Sequence, residues 1–445
     1  MGRKVFISFL GKSDYTECKY GHPDTDKLKY VQEATLNFLC AKEWPANSAA
    51  YILLTNDAEI ANWNDNGHID SETKEKKKNL GLKSRLAQMN LPFDVIPINK
   101  LPDGNSEVEI WTIFQRVFEK IEYEDELYFD LTHGFRYLPM LVLVLGNYVK
   151  FLKKATVKSI TYGNFESRVD GVAPIIDLTP LSLLQDWTYA AGTYLDSGNV
   201  KKLTEMSGEK YANFADKLNE TISDFHMCRG ISIIESTNIK QIKLLMGTMD
   251  TSDLPPLKFV FDEVKADFNK YDDIQNIKNG YESAKWCFKN QLYQQAITIL
   301  IETVISDICL YEELDWKRRK NRDVASNALF ILAQNTQETG WKIVTETKDK
   351  DKYQNKYLSL SETNPEKLLK IDEKIKYKSK YFKELQLYRQ LVKSPRTAEL
   401  VELSVMVKDI RDDIDHAGMR DGARTSKSIE KELYKIFEKI NAICS

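Results

Sequence analysis

Features that would assign this sequence to a specialised class of protein are scarce. The six cysteines are scattered, none forms a CxxC pair, and no Cys/His cluster has the spacing of a zinc site. This pattern predicts reduced thiols in a cytoplasmic protein without a bound metal. The longest apolar stretch, Leu138 to Val149, is about half of a membrane span, and the apolar run of the opening MGRKVFISFLG is too short for a signal peptide. Both segments are predicted to lie in a protein core, so no membrane association is expected.

The sequence also has no large excess of positive or negative charge. The 63 Lys and Arg residues nearly balance the 66 Asp and Glu residues, and the formal net charge is -3. This balance argues against a general nucleic-acid coat protein, although a local basic groove remains compatible with it. The sequence has neither a GxGxxG fingerprint nor a Walker A lysine loop, so dehydrogenase and NTPase functions have no support.

The length of 445 residues and the hydrophobic content of 42% indicate two domains with full cores. In the first third, strand-like apolar segments alternate with helical periodicity, which predicts an α/β domain with a parallel, doubly wound sheet over residues 1–180. Helical segments are predicted over about 26–44, 57–90, 106–121 and 138–152. The predicted strands are KVFISFLG, AAYILLTND, FDVIPINK, DELYFDLTHG and VKSITYG.

Beyond Thr179-Pro180 the strand signals almost vanish. Residues 181–260 are predicted to form a helical linker region that ends near Leu254-Pro255-Pro256, because adjacent prolines favour a boundary. Residues 261–445 show amphipathic periodicity typical of an all-α domain. A segment at about 345–380 is rich in Lys, Asp and Tyr and is predicted to be a mobile insertion.

A first candidate site lies where the fourth predicted strand meets a helix, in the sequence Asp130-Leu-Thr-His-Gly-Phe-Arg136. Ligands of open parallel sheets bind beyond the carboxyl ends of the strands, where free backbone N–H groups favour anions. Thr132 could donate a hydrogen bond, Gly134 would permit close approach, and Arg136 could bind a phosphate with two hydrogen bonds. The alternative is a helix cap formed by Thr132, and the spacing alone slightly favours that interpretation.

A second candidate is the polar loop Gly11 to Tyr20, which follows the first predicted strand and should line the same crevice. Its side chains could contact sugar, phosphate or base faces of a nucleotide. The alternative is an ordinary polar connection between strand and helix. The polar and aromatic residues that could make such contacts are Lys12, Ser13, Tyr15, Thr16, Lys19 and Tyr20.

A third candidate is the pair Arg411 and His416 near the C-terminus. A histidine can act as general acid or base, an arginine can neutralise a transferring phosphate, and the 2′-hydroxyl of RNA can be the nucleophile. Residues five apart do not share a helix face, so the two converge only if the helix ends near Ala417-Gly418 or if a second copy completes the site. The alternative is a surface helix on which Arg411 pairs with Asp415. The basic run 317–322 could hold an RNA backbone or be a solvated helix end.

Taken together, these segments resemble a known family. The sequences DLTHGFRYLP, TYGNFE and IIDLTPLSLLQDW are similar to the CRISPR-associated Rossmann-fold sensor domain, CARF, and IRDDIDHAGM resembles a HEPN ribonuclease domain. CARF followed by HEPN is the architecture of the accessory ribonucleases of type III CRISPR systems. The resemblance implies a Rossmann-like doubly wound sheet followed by an all-α helical domain.

The same resemblance implies a function. Such proteins sense a cyclic oligoadenylate, most often cyclic tetra-adenylate, and cut single-stranded RNA without a metal or other cofactor. Arg411 and His416 would be the catalytic pair. A homodimer, possibly assembled further, would complete both sites, and no stable DNA binding is expected. The residues that would bind the ring are Gly11, Lys12, Ser13, Thr16, Lys19, Tyr20, Thr132, His133, Gly134, Phe135 and Arg136.

Other functions stay open on the sequence alone. Asp412 stands where the family often has Asn, which is compatible with a sensor whose helical domain only binds RNA or a partner protein. A CARF domain that degrades its own ring ligand is another possibility, with Thr132 orienting a ribose 2′-hydroxyl. A DNA-binding regulator is disfavoured because no recognition helix with a basic face stands out.

Overall fold

The computed structural model describes residues 2–70, 72–133, 137–248, 255–349, 352–359, 379–419 and 421–444. The chain divides into two compact units, Met1–Asp186 and Trp187–Ser445. Gly134, Phe135, Arg136 and Leu254 lie outside the described residues.

The first unit contains a six-stranded sheet in the order β4-β3-β1-β5-β6-β8. All neighbouring pairs are parallel except β6 and β8, and a separate two-stranded parallel sheet joins β2 and β7. The predicted doubly wound α/β fold is therefore confirmed, with an antiparallel edge strand that was not predicted. The strands are β1 (Lys4–Leu10), β2 (Lys19–Tyr20), β3 (Ala49–Thr55), β4 (Asp94–Leu101), β5 (Glu126–Asp130), β6 (Thr156–Gly163), β7 (Val172–Ala173) and β8 (Ile175–Asp177).

Helices cover both faces of this sheet. The period of two along a strand sends Val5 and Ile7 of β1 to one core and Phe6 and Leu10 to the other. The first core includes residues of α3 and α4, and the second includes residues of α1 and α2. The helices are α1 (Val31–Phe38), α2 (Leu82–Gln88), α3 (Glu107–Phe118), α4 (Leu138–Leu152) and α5 (Thr179–Ser197), the last of which contains the boundary between the units.

Two of the predicted helices are shorter in the structure. The segment 26–44 is α-helical only from Val31 to Phe38, because Cys18 and Leu28 pair as an antiparallel bridge and the left-handed Cys40 follows the helix. A short 3-10 turn spans Ala41–Glu43. The segment 57–90 is mostly not α-helical. One α-helical turn spans Asn56–Ala58 and a π-helical turn spans Glu59–Trp63. The Asp70 carboxylate accepts two backbone N–H groups of a turn, so the longer α-helix in this segment is α2. The predictions for 106–121 and 138–152 are confirmed by α3 and α4.

The second unit is built mainly from helices around one hydrophobic core. Residues from Trp187 to Met246 lie in the same core as residues from Phe261 to Ile440, so the predicted linker region 181–260 is not a separate module. The helices are α6 (Lys201–Met206), α7 (Gly208–His226), α8 (Gly230–Ile234), α9 (Ile239–Thr248), α10 (Pro255–Phe268), α11 (Lys278–Lys289), α12 (Tyr293–Tyr311), α13 (Arg319–Ala333), α14 (Ser379–Lys393), α15 (Pro395–Asp415) and α16 (Ser426–Cys444).

A β-hairpin interrupts this helical unit, contrary to the prediction of helices throughout. Strands β9 (Lys342–Asp349) and β10 (Lys352–Ser359) pair antiparallel within the segment predicted to be a mobile insertion. The rest of that segment, residues 360–378, lies outside the described residues.

Candidate functional site

The strand order creates a crevice between the carboxyl ends of β1 and β5. The chain runs from β1 outward to β3 and β4, then crosses to the other side of β1 to form β5. Such a reversal is the position at which open α/β sheets bind ligands. The loop Gly11 to Tyr20 leaves β1 there, and the segment that begins at Leu131 leaves β5 there, so the first two predicted sites meet at one edge.

A buried carboxylate fixes this edge. Asp130 is fully buried and accepts hydrogen bonds from the Ser8 hydroxyl at 2.7 Å and the Thr132 hydroxyl at 2.6 Å. Gln32 of α1 donates to Ser8 Oγ at 3.1 Å and to the carbonyl of Phe9 at 3.0 Å. Burial raises the pKa of Asp130, while the hydrogen bonds from Thr132 and Ser8 lower it. Asp130 is thus a structural anchor for both loops rather than a surface group.

The Thr132 hydroxyl makes two hydrogen bonds within the protein. Its Oγ1 donates to Asp130 and accepts the backbone N–H of Gly163 at 2.8 Å, which ties the end of β5 to the end of β6. Gly163 has no room for a side chain, since a Cβ there would lie 2.7 Å from Val31 Cγ2. The structure therefore places Thr132 in a positioning role at the crevice.

His133 follows Thr132 and is only partly buried. Its ring stacks on that of Tyr15 with centroids 4.0 Å apart and an interplanar angle of 16°. Nε2 is buried without a hydrogen-bond partner among the described residues. Burial lowers the pKa of His133 to about 4, so the ring is neutral at neutral pH. The stacked pair joins the two loops, and the unpaired nitrogen of His133 is buried.

The loop after β1 is fixed by buried side chains. Asn62, which is fully buried, donates through Nδ2 to the carbonyls of Gly11 at 2.9 Å and Ser13 at 2.8 Å. The Tyr15 hydroxyl accepts the N–H of Gly11 at 2.9 Å. These contacts indicate a preformed loop. Asn62 was not among the predicted residues, because its position after β3 gives no signal in the sequence.

The predicted side chains of this loop differ in their exposure to solvent. Lys12, Ser13 and Thr16 are exposed, and Lys12 Nζ donates to Asp57 at 2.8 Å. Lys19 donates to the carbonyl of Pro23. Tyr20 is only 4% exposed and packs in a small apolar cluster with Val31 and Ala173, so it belongs to the core rather than to an accessible surface. Burial raises the pKa of Tyr20 to about 12.

Basic groups that were not predicted also gather beside this loop. Asp14 accepts hydrogen bonds from Lys29 at 2.9 Å and Lys77 at 2.7 Å. Burial alone would raise the pKa of Asp14, but these two bonds lower it to about 2. Lys77 lies in the lysine-rich segment 74–79, whereas Asp14 lies in the loop after β1. Because the two residues are far apart in the sequence, their spacing gave no indication of this ion pair.

In the helical unit, α15 ends between Arg411 and His416. The helix finishes at Asp415, His416 is the C-cap, and Ala417 and Gly418 have φ of 50° and 65°. The N–H of Gly418 donates to the carbonyl of Asp413 at 3.1 Å, which completes a Schellman motif with the Ala417 N–H. The helix thus ends near Ala417-Gly418, which is one of the two conditions under which the sequence allows Arg411 and His416 to converge. His416 can thereby leave the helical path that would separate it from Arg411.

Both members of this pair face solvent to a large extent. Arg411 Nε donates to Asp415 Oδ2 at 3.1 Å, which is the ion pair that the sequence offered as the alternative. His416 is exposed. In the described part of the chain, no hydrogen bond joins Arg411 to His416, so bringing the two groups onto one phosphate requires Arg411 to exchange its carboxylate partner.

A buried contact that was not predicted supports the turn after α15. Asp413 is 1% exposed and accepts the backbone N–H of Arg424 at 3.0 Å. The Arg424 guanidinium also pairs with Asp409 and, at 3.2 Å, with Glu432 of α16. These bonds connect both sides of the turn that carries His416.

The basic run 317–322 is largely engaged within the protein. Lys317 pairs with Glu235, and Arg322 pairs with Glu302 and donates to Ser306 at 2.7 Å. This arrangement agrees with a structural helix start better than with an open RNA-binding surface.

Within the described ranges, no group of three or more His, Cys, Asp or Glu side chains is arranged to hold a metal ion. No helix among the described residues is long and apolar enough to cross a membrane.

The sheet, its reversal point and the loops around Asp130 define a Rossmann-like α/β domain with a candidate ligand site. Residues 5–166 match the family described as CRISPR system endoribonuclease Csx1, CARF domain. The chain is also similar to the CRISPR-associated protein MJ1674 of Methanocaldococcus jannaschii, with 27% identity over 237 residues. That match covers 51% of this chain and 36% of the relative, so it spans little more than a third of the relative's length. The N-terminal unit is therefore similar to a CARF domain of CRISPR systems over residues 5–166.

Proposed function

We propose that this chain is a cyclic oligoadenylate-activated, metal-independent endoribonuclease that cuts single-stranded RNA in type III CRISPR antiviral defence. The observation that carries the proposal is the combination, in one chain, of a CARF crevice with a helical unit that places His416 at the end of an arginine-bearing helix. Cyclic tetra-adenylate is the proposed activator. The helical unit is proposed to be a HEPN domain.

The proposed ring site uses the exposed side of the CARF crevice. Ser13 and Thr16 are exposed to phosphate and ribose groups, and Lys12 would reach a phosphate by releasing Asp57. The stacked Tyr15–His133 pair would contact adenine. Gly134, Phe135 and Arg136 remain proposed ring contacts, and Arg136 is suited to phosphate. Thr132 and Tyr20 would act by holding the loops, since the Thr132 hydroxyl is already bonded and Tyr20 is buried.

In the proposed reaction, the 2′-oxygen attacks the adjacent phosphorus and the 5′-oxygen leaves. The 2′-proton goes to a base and a proton reaches the departing oxygen, which yields a 2′,3′-cyclic phosphate and a 5′-hydroxyl. His416 would be the acid or base, and Arg411 would release Asp415 to neutralise the phosphate.

A homodimer is proposed because a two-fold-symmetric ring fits a site shared by two CARF copies. The outer face of α3 and α4 supports this proposal. It exposes large apolar side chains that a soluble monomer would seldom display together. These are Val108, Trp111, Met140, Val144 and Tyr148. Ring binding would shift the balance between two arrangements of the helical units.

The alternative is a sensor whose helical unit only binds RNA or a partner, and the Arg411–Asp415 ion pair is the observation that favours it. A CARF domain that degrades its ring is less favoured, because the Thr132 hydroxyl proposed to orient the ribose is bonded to Asp130 and Gly163.

The experiment is cleavage of fluorescent single-stranded RNA in EDTA, with and without cyclic tetra-adenylate. Wild type is compared with His416→Ala and with His226→Ala, which removes an exposed histidine at another helix end. The proposal expects ring-dependent cutting in wild type and His226→Ala and none in His416→Ala. Equal cutting by His416→Ala would overturn the catalytic assignment. Ring binding by calorimetry without any cutting would favour the non-catalytic sensor.

A further inference from the structure

A cavity in the helical unit has no assigned role. Its volume is about 650 Å³, and it lies between α13, the start of β9 and α15. The indole N–H of Trp341 donates to the carbonyl of Thr336 at 2.9 Å, which fixes one side of the cavity. The described residues that line it are Ser326, Asn327, Phe330, Ile331, Thr336, Gly340, Trp341, Lys342 and Lys408.

An exposed aromatic ring is the central feature of this cavity. Phe330 is 52% exposed, whereas its neighbours Leu329 and Ile331 are almost completely buried. The ammonium group of Lys408 lies 5.3 Å from the centroid of the Phe330 ring. A half-exposed aromatic ring with a cation over it provides a stacking surface for a planar base and a positive charge for the anionic phosphate of a nucleotide.

The polar lining agrees with such a ligand. The charged side chains among the described lining residues are Lys342 and Lys408, and both are exposed. Ser326 and Asn327 lie one helical turn before Phe330, so they are beside the ring on α13. Asn327 Nδ2 donates to the hydroxyl of the buried Tyr388 at 3.0 Å, which fixes this side chain in the cavity wall.

The cavity is also connected to the proposed catalytic helix. Lys408 precedes Arg411 by three residues, so the two cations lie on neighbouring positions of α15. The same helix ends at His416. A nucleotide that touches Lys408 is therefore within one helical turn of the arginine that would hold the scissile phosphate.

We infer that this cavity binds one unpaired base of the single-stranded RNA substrate, stacked on Phe330, with the adjoining phosphate on Lys408. This inference rests on the proposed ribonuclease function and deepens it. It assigns Phe330 as a residue that selects unpaired RNA and sets the cleavage position, outside the Arg411–His416 pair.

The test is equilibrium binding of a short fluorescein-labelled single-stranded RNA to full-length protein carrying His416→Ala, so that cleavage does not interfere. Phe330→Ala should weaken binding about tenfold, since stacking of one base on an aromatic side chain has an effect of this order. Phe330→Trp should retain binding. Tyr311→Ala, which removes another exposed aromatic from the same unit, is the matched control and should have no effect.

Lys408→Ala should act in a different way. Loss of one phosphate contact should reduce the slope of log affinity against log salt by about 0.7 for a single strand, whereas Phe330→Ala should leave the slope unchanged. A duplex of the same sequence should be insensitive to Phe330→Ala, because its bases are already stacked. Unchanged single-strand binding in Phe330→Ala, with binding by the parent protein intact, would overturn the inference.

Cleavage separates this inference from the proposed function. In the otherwise wild-type protein, Phe330→Ala should raise KM about tenfold and shift the cleavage pattern on a sequencing gel. Ring-activated cutting with the same KM and pattern would refute the base site and leave the nuclease intact. If RNA binding depends on Phe330 but the protein never cuts RNA, the base site would be supported and the ribonuclease function would be refuted.

Discussion

The hydroxyl of Thr132 is bonded to protein groups in both directions, as donor to Asp130 and as acceptor from Gly163. Thr132→Val should therefore leave a buried carboxylate and a backbone N–H with fewer partners. We expect the free energy of unfolding to fall by about 1–3 kcal/mol. The measurement is urea denaturation, in which the unfolding transition of the first unit is followed. Thr132→Ser keeps the hydroxyl and is the matched control. Equal stability of the Val and Ser variants would contradict the positioning role.

The titration of His133 predicts a pH dependence of stability. Burial lowers its folded pKa to about 4, below the ordinary value of 6.5. The unfolded chain therefore binds the proton more readily, so the stability contribution is complete above pH 6.5 and is lost as the pH falls toward 4. His133→Asn should flatten the decline of the free energy of unfolding across this range. His22→Asn, at an exposed histidine, should keep the wild-type decline; an identical decline in His133→Asn would argue against the assignment.

At the scale of elements, the turn after α15 decides whether the Arg411 and His416 side chains can contact the same phosphate. Asp413 holds this turn through the backbone N–H of Arg424. If the proposed ribonuclease function holds, Asp413→Ala should reduce kcat for RNA by at least about tenfold with a smaller change in KM, because it displaces His416 rather than the RNA-binding groups.

The adjacent Asp412 provides the comparison for that variant. Asp412→Asn removes a negative charge beside the proposed phosphate site, so it should raise cleavage rather than lower it. Both rates can be measured in the same ring-activated assay. If Asp412→Asn reduced kcat as much as Asp413→Ala, loss of either charge would disturb the turn, and the specific role of Asp413 would be contradicted.

At the scale of the whole molecule, self-association should depend on the apolar outer face of α3 and α4. Val144 is 58% exposed near its centre, and Val144→Glu would place a charge in the proposed interface. We expect a shift from dimer to monomer in sedimentation equilibrium, together with weaker ring activation at low protein concentration. Tyr123→Glu changes an exposed aromatic in the loop after α3 and should leave the dimer intact. A Val144→Glu protein that remains dimeric would place the interface elsewhere.

Much of the first unit could be predicted from local patterns. The five apolar strands, α3 and α4 follow from periodicity. The failures have physical causes. The charged segment 57–90 has helical propensity, but turns stabilised by Asp70 prevail, and the β9–β10 hairpin carries no strong apolar alternation.

The sequence by itself determined the α/β order of the first unit, the helical character of the second and the position of polar residues at strand ends, because these depend on spacing along the chain. Only the tertiary structure decided which of those residues are accessible. Thr132 and Tyr20 turn inward while Tyr15 stacks on His133. Such roles depend on partners brought together from distant segments, and hydrogen bonding and burial across the sheet assign them.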